Sequence, residues 1–581
     1  MKKIALASLL TLGSFLVAPA IAQQAPPSPA AQPVIYLNQA WSQEDREWYY
    51  QFSQGSTVIP YDIFLNLEVA GSQELFRSDA NSDRYGLIPQ APNPRTNPDG
   101  FPIGLAKATL PAGTWPEASG EYIGLTCAAC HEGQLTYQGK RIRIQGGTPT
   151  HGFDFAAYLG ALDEAMQATL KDPAKFDRLA TRATATSADA KSRLRERLES
   201  QATKVHDFTK LVLATPTPWG PSRQDAIGLI VNRLTSVLPQ LPANWSTPVA
   251  PTKPPFLWNT PQGLWTQWRS VQQDPIFRNL TEVMGVFMSV DLTSKSPAEG
   301  LFRSNAPIKD LQRVENQLAR LAPPQWPEEI FGRIDREKAK AGKSLFITHC
   351  SGCHNAWPYT WTEPNKYGKR FIMVGVIPQS YVGTDAGQFH DLRPYAMTGQ
   401  LADYLPGELR GKKSIPTGDL YYGISRTILE KSIEGLKITE EEKANLHGYR
   451  EYPLPKPPEG VYKAAPRDGV WATPPFMHNG SVPNLYEMLV PAKERTKKFY
   501  VGREFDPVKV GLDTSGTSGK FLLDTELPGN SNGGHSFEDG PRGHGVIGPL
   551  LTEDERWALV EYLKSIPEEP GRVTPFGGPP K

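Results

Sequence analysis

The four cysteines of this 581-residue chain stand in one arrangement used twice, Cys127-Ala-Ala-Cys130-His131 and Cys350-Ser-Gly-Cys353-His354. C-x-x-C-H is the attachment signature of a c-type haem: two thiols add across the porphyrin vinyl groups, and the following histidine becomes the proximal iron ligand. With only four Cys and ten His present, the odds that a given Cys has Cys at +3 and His at +4 by chance are on the order of one in ten thousand. A thioredoxin-like pair gives no reason for the trailing histidine, and a zinc site would bring a second close pair of Cys or His ligands. Here the motifs lie far apart, each with its own flanks. The expected cofactors are two covalent c-type haems, one on Cys127, Cys130 and His131, the other on Cys350, Cys353 and His354.

Such attachment takes place on the oxidising side of a bacterial inner membrane, and the start of the chain agrees. Residues 1–22 read as a Sec-type signal peptide, with Lys2 and Lys3, an apolar run over 4–17 and Ala20-Ile-Ala22 as an A-x-A cleavage site. A periplasmic or secreted protein is expected. No later apolar run reaches about 18 residues, so no transmembrane segment is predicted. Lys plus Arg (62) nearly balances Asp plus Glu (61), which excludes an electrostatic nucleic-acid footprint. The 55 prolines predict many ordered connections around small helical cores, because aromatic and apolar content is too high for disorder.

The elements that must position the motifs follow in chain order. Residues 23–34 form a Pro-rich flexible leader, and 60–95 predict irregular structure with short helices. The stretch 135–144 reads as a hairpin, with Gly139 opening a II′ turn. Helix spacing runs over 154–170; Asp172-Pro173 caps another helix, and 187–213 is a long charged helix or helix pair burying Leu194, Leu198 and Val205. Residues 239–291 gather Trp245, Phe256, Trp258, Trp265, Trp268, Phe277 and Phe287 into an aromatic wall. An amphipathic helix over 336–348, with Gly342, Leu345 and Phe346 placed for close packing, runs into Cys350. Thr552-Glu-Asp-Glu555 is a capping box opening a terminal helix over 557–566. The predicted organisation is mainly α, with long irregular loops and a few short strands. It comprises two cytochrome c-type haem domains: an N-terminal one over 35–327 with an aromatic-rich cap, and a C-terminal cytochrome c-like one over 328–581.

Four stretches carry a resemblance: GLTCAACHEGQ (124–134), RNLTEVMGVF (278–287), WATPPFMHNGSVP (471–483) and GNSNGGH (529–535). With them the chain resembles the rubber-oxygenase-like di-haem c-type cytochromes, a branch of the di-haem cytochrome c peroxidase superfamily. The resemblance covers most of residues 120–566. It implies unequal haems, one with an open distal position for O₂ and one six-coordinate. It also implies an O₂-dependent dioxygenase acting on carbon-carbon double bonds of polyisoprene or unsaturated fatty acids. By superfamily analogy a calcium ion lies between the haem domains, with no ligands to assign.

A six-coordinate haem needs a second strong ligand, supplied in a cytochrome c domain by a loop shortly before the last helix. His535 is the candidate opposite His354, with His478 and Met477 as rivals. No residue advertises itself opposite His131; His151 and His206 read as structural or solvated. Phe287, Trp258, Trp265 and Trp268 are the candidates for an apolar distal pocket that takes an alkene. The competing enzyme is a peroxidase reducing hydrogen peroxide, with Glu282 or His151 as distal acid/base and a small redox donor as partner. A pure electron-transfer cytochrome is the third reading. It requires both irons saturated and leaves most of the chain unexplained, since about 100 residues suffice per simple haem domain. Gly543-His-Gly545-Val-Ile-Gly548 matches G-x-G-x-x-G but lacks a strand before it and a helix after it, so it reads as a loop near the second haem.

Overall fold

The first motif is entered from a strand. Gly120–Leu125 pairs antiparallel with Leu105–Leu110 on one side and Ile59–Pro60 on the other, and Leu105–Leu110 shows the alternating burial of a half-covered strand. Thr126 then caps a four-residue helix, Cys127–Cys130, its hydroxyl accepting from the amide of Ala128. Gly104 lies so close beneath this turn that a Cβ there would stand 2.5 Å from Cα of Ala129. After His131 the chain enters the hairpin Gly133–Tyr137 and Lys140–Ile144, whose second strand also pairs in parallel with Val34–Tyr36. Both loop residues are left-handed, Gln138 at φ 48° and Gly139 at φ 76°. The turn is therefore of type I′, one residue out of register from the expected II′.

This is a computed structural model, and it describes residues 33–113, 115, 118–390, 392–515 and 521–578. The signal peptide and nearly all of the leader, residues 1–32, lie outside the described residues. No helix among the described residues is long and apolar enough to cross a membrane.

The expectation of a mainly helical chain made of two cytochrome c-type domains is corrected. Of the described residues 36% are helical and 15% strand, a mixed α/β fold with no clear cytochrome-like helical domains. The strands run from two to six residues and fall into seven small sheets. Segments so short complete barely one alternation, so they leave almost no periodic signal in the sequence.

The capped helices fall where their spacing predicts. Phe155–Lys171, Pro173–Arg182 and Ala188–Leu213 each open on an Asp or Ser side chain that accepts a first-turn amide. Leu194, Leu198 and Val205 are buried in the cluster these helices share. Near the second motif, Arg336–His349 packs on Glu553–Ser565 through Ala339, Gly342 and Phe346, with Phe346 and Tyr562 ring centres 5.2 Å apart. A second hydrophobic cluster draws on both ends of the chain, from Trp41 to Ile566, and includes the helix Pro275–Gly285.

Candidate functional site

Each histidine that follows a C-x-x-C is oriented by a main-chain carbonyl. Nδ1 of His131 donates to the carbonyl of Pro255 at 2.8 Å, and Nδ1 of His354 donates to that of Ala465 at 3.1 Å. A ring whose Nδ1 carries the proton keeps its Nε2 lone pair for a metal. Tyr49 further fixes the first turn by donating to the carbonyl of His131 at 3.0 Å. Burial drives both imidazoles toward the neutral form, His131 down to about 4 and His354 well below the ordinary value. Burial also pushes the Cys130 and Cys350 thiols up to about 12. All four cysteines are free. The thiol of Cys127 donates to Oε1 of Gln54 at 3.1 Å, and Gln224 donates to Sγ of Cys130 at 3.8 Å.

Two cavities adjoin these motifs. The first is lined by Cys127, Cys130 and His131, the second by Cys350, Cys353 and His354. Free thiols in pairs, with a neutral imidazole beside each pair and a cavity at each, are the donor set that a covalent haem requires.

The two sites differ across from the histidine. In the second cavity the ring of His535 faces that of His354 with centroids 6.3 Å apart. A metal–imidazole bond is about 2 Å and the ring centre lies about 1.1 Å beyond the nitrogen, so imidazoles on opposite sides of one metal have centroids about 6 Å apart. Nδ1 of His535 is buried without a hydrogen-bond partner, and burial holds the ring's pKa down to about 3. Its backbone is clamped by Arg495, which donates to the carbonyls of Asn532, Gly534 and His535 at 2.6, 2.8 and 2.7 Å. Met477 and His478 line the same cavity. Met477 accepts from the Ser481 hydroxyl at 3.5 Å, and His478 stacks on Tyr462 at 4.2 Å between centroids. His349, which the sequence reading passed over, also lines this cavity with an unpartnered Nδ1. Arg542 and Ile547 bring the Gly543–Gly548 loop to the cavity.

In the first cavity His131 is the only histidine among the described lining residues, and no methionine joins it. The helix Pro275–Gly285, opened by Asp274 as N-cap and Pro275 at its first position, presents Arg278, Asn279, Glu282 and Val283 to the space. Burial raises the Glu282 carboxyl above the usual range, and Gln267 donates to it at 3.2 Å. Arg278 pairs with Glu315.

Of the four aromatic candidates, Trp268 lines this cavity, and it lines the second as well. The other three are placed elsewhere. Phe287 follows the helix end with φ 70° and turns into the other cluster, against Phe208 and under Arg233. Trp258 stacks on Phe256 at 4.5 Å and donates to the carbonyl of Asp468. Trp265 is half-buried outside both linings. His151 is buried beside Arg503 and Arg143, and His206 pairs with Asp163 at the surface.

The wall between the cavities is sewn together by hydrogen bonds to main-chain carbonyls. Trp268 Nε1 donates to the carbonyl of Lys253, the Lys463 amide to that of Trp268, and the Lys253 amide to that of His478. No side-chain motif announces this wall, because its bonds use main-chain groups from segments far apart in sequence.

Comparison with known proteins adds three findings. The family described as RoxA-like, cytochrome c-like matches residues 461–500, the segment holding Lys463, Ala465, Met477, His478 and Arg495. A protein of Sinorhizobium fredii, "Uncharacterized protein y4iJ", is 33% identical over 96% of this chain and 97% of its own length. A second from the same organism, "Uncharacterized protein y4iM", is 26% identical over 54% of this chain, which spans 63% of that relative's length.

Proposed function

From the premise that the chain belongs to the family of y4iJ and carries a RoxA-like, cytochrome c-like segment that points to haem, we propose that it is a di-haem c-type dioxygenase. Its substrate would be an apolar molecule with carbon-carbon double bonds, polyisoprene or an unsaturated fatty acid. One observation carries the reading: a second imidazole faces His354, whereas among the described residues no second histidine lines the cavity at His131. When bound at Cys127, Cys130 and His131, a haem would supply dioxygen activation.

The chain's own residues do the rest. Cys127 and Cys130 would tether the first haem, and the Pro255 carbonyl aims the His131 imidazole. Leu229, Ile230 and Val283 give this cavity an apolar wall, which excludes water and takes an alkene. Both oxygen atoms end in product, so the reaction balances without external electrons. Cys350, Cys353, His354 and His535 would hold a second haem, which would supply electron transfer.

A peroxidase reading is favoured by Glu282, whose carboxyl lines the first cavity and is raised above the usual range by burial. Cleaving a peroxide O–O bond heterolytically uses such an acid/base group. Incubation with oleate or polyisoprene under ¹⁸O₂ without peroxide separates the two. Label in carbonyl or hydroperoxide products is expected. Turnover only with peroxide and a reductant would replace the dioxygenase by the peroxidase, and two low-spin haems inert to CO would leave an electron carrier.

A further inference from the structure

Three basic side chains stand in and beside the wall between the cavities, and among the described residues none of them forms an ion pair with an acid. Lys253 and Lys463 line both cavities, and Arg467 lines the second. Lys253 is 4% exposed; its Nζ donates only to the carbonyl of Thr473, at 2.5 Å, and lies 5.5 Å from the ring centre of Phe476. Nε of Arg467 donates to the carbonyl of Ala465 at 2.8 Å. The acids nearby are engaged by other groups: Asp468 accepts from Tyr359 and the Trp357 amide, Glu282 from Gln267, and Glu315 from Arg278. Among the described residues no carboxylate pairs with any of the three. Elsewhere the fold does neutralise a buried lysine, since Lys175 meets Glu68 at 3.3 Å.

An ammonium held in apolar surroundings without a counter-charge costs several kcal/mol. Lys253 is held in this way, with Lys463 and Arg467 half-buried beside it, so the cluster calls for an anion from outside the polypeptide. The apolar walls suit an organic anion, and a carboxylate matches both the lysine point charge and the arginine fork. We propose that Lys253, Lys463 and Arg467 form a carboxylate-binding locus between the two cavities. Its occupants are the propionate groups of the haems or the carboxylate head of a fatty acid. The propionate source rests on the two-haem reading above; the fatty-acid source does not.

The test begins with the intact mass of the exported wild-type protein. A chain without added porphyrin ends the two-haem reading by itself and leaves the laurate titration below to decide the locus. With haems attached, Lys463→Met and Lys253→Met are compared with wild type by spectroelectrochemical titration, using Lys463→Arg as the charge-retaining control. Positive charge beside a haem favours its reduced state. Loss of either lysine should then shift the reduction equilibrium of both haems about tenfold toward the oxidised form, 59 mV for one electron, and Lys463→Arg should keep the wild-type values. Unchanged potentials with a tenfold loss of laurate affinity assign the locus to a ligand carboxylate. Unchanged potentials and unchanged laurate affinity in both Met variants overturn the proposal.

Discussion

Replacing Gly342 by alanine sets two opposing effects of known size against each other. In an open helix interior the change stabilises by about 1 kcal/mol, because glycine loses more backbone freedom on folding. At Gly342 a Cβ would stand 2.5 Å from the carbonyl carbon of Ala558 and 2.9 Å from Cβ of Tyr562. Carbon atoms rest at about 3.5–4.0 Å, so the helices Arg336–His349 and Glu553–Ser565 must part by about 1 Å. That disturbs the Phe346–Tyr562 contact and costs about 1–3 kcal/mol, as overpacking does. The net expectation is destabilisation by up to about 2 kcal/mol, local to the helix that ends at Cys350. Gly418, near the start of the helix Thr417–Glu434, has nothing within 4 Å of its would-be Cβ, so Gly418→Ala reports the propensity gain alone. Native-state hydrogen exchange resolves the two helices separately. Protection in 336–349 and 553–565 should fall in Gly342→Ala, while Gly418→Ala leaves it unchanged. If Gly342→Ala protects as well as wild type, the close crossing of these helices is not what holds the second motif.

Two further outcomes are expected. His535→Ala should leave the number of attached porphyrins unchanged while converting one low-spin haem to a high-spin form that binds CO; a spectrum identical to wild type would move the second ligand to Met477, His478 or His349. The guanidinium of Arg178, with Arg182 and Lys175, holds the Glu68 carboxyl down at about 2 against the buried site's opposing effect. A carboxyl with a depressed folded-state pKa contributes stability that is complete above its ordinary value and is lost as pH falls from about 4.5 to about 2. Thermal melting of the N-terminal half should therefore drop across that window in wild type, and less steeply in Glu68→Gln.

What the sequence discloses and what it hides divide along a physical line. Covalent attachment dictates residue type and spacing at once, so Cys127–His131 and Cys350–His354 are readable wherever they fold, and in the structure each set lines its own cavity. Caps are equally local: Asp154, Ser187 and Thr552 accept amides three residues away, and their helices begin where the side chains say. The strands around the first motif are only two to six residues long, and their pairing partners lie outside any window a periodicity can fill. The groups that aim the two histidines, the carbonyls of Pro255 and Ala465, are main-chain atoms that any residue supplies. Phe287 shows why aromatic content alone does not locate a pocket. It closes a helix that lines the first cavity, yet its left-handed backbone turns the ring into the neighbouring core. A side chain's direction at a helix end depends on one dihedral angle, and a chain reversal there sends it away from the face its neighbours share. The difference between the two sites is therefore a tertiary property. It arises because the 530–536 loop, clamped by Arg495, brings His535 to face His354, while Ile230, Val283 and Trp268 line the cavity at His131, and no motif at either C-x-x-C-H encodes that difference.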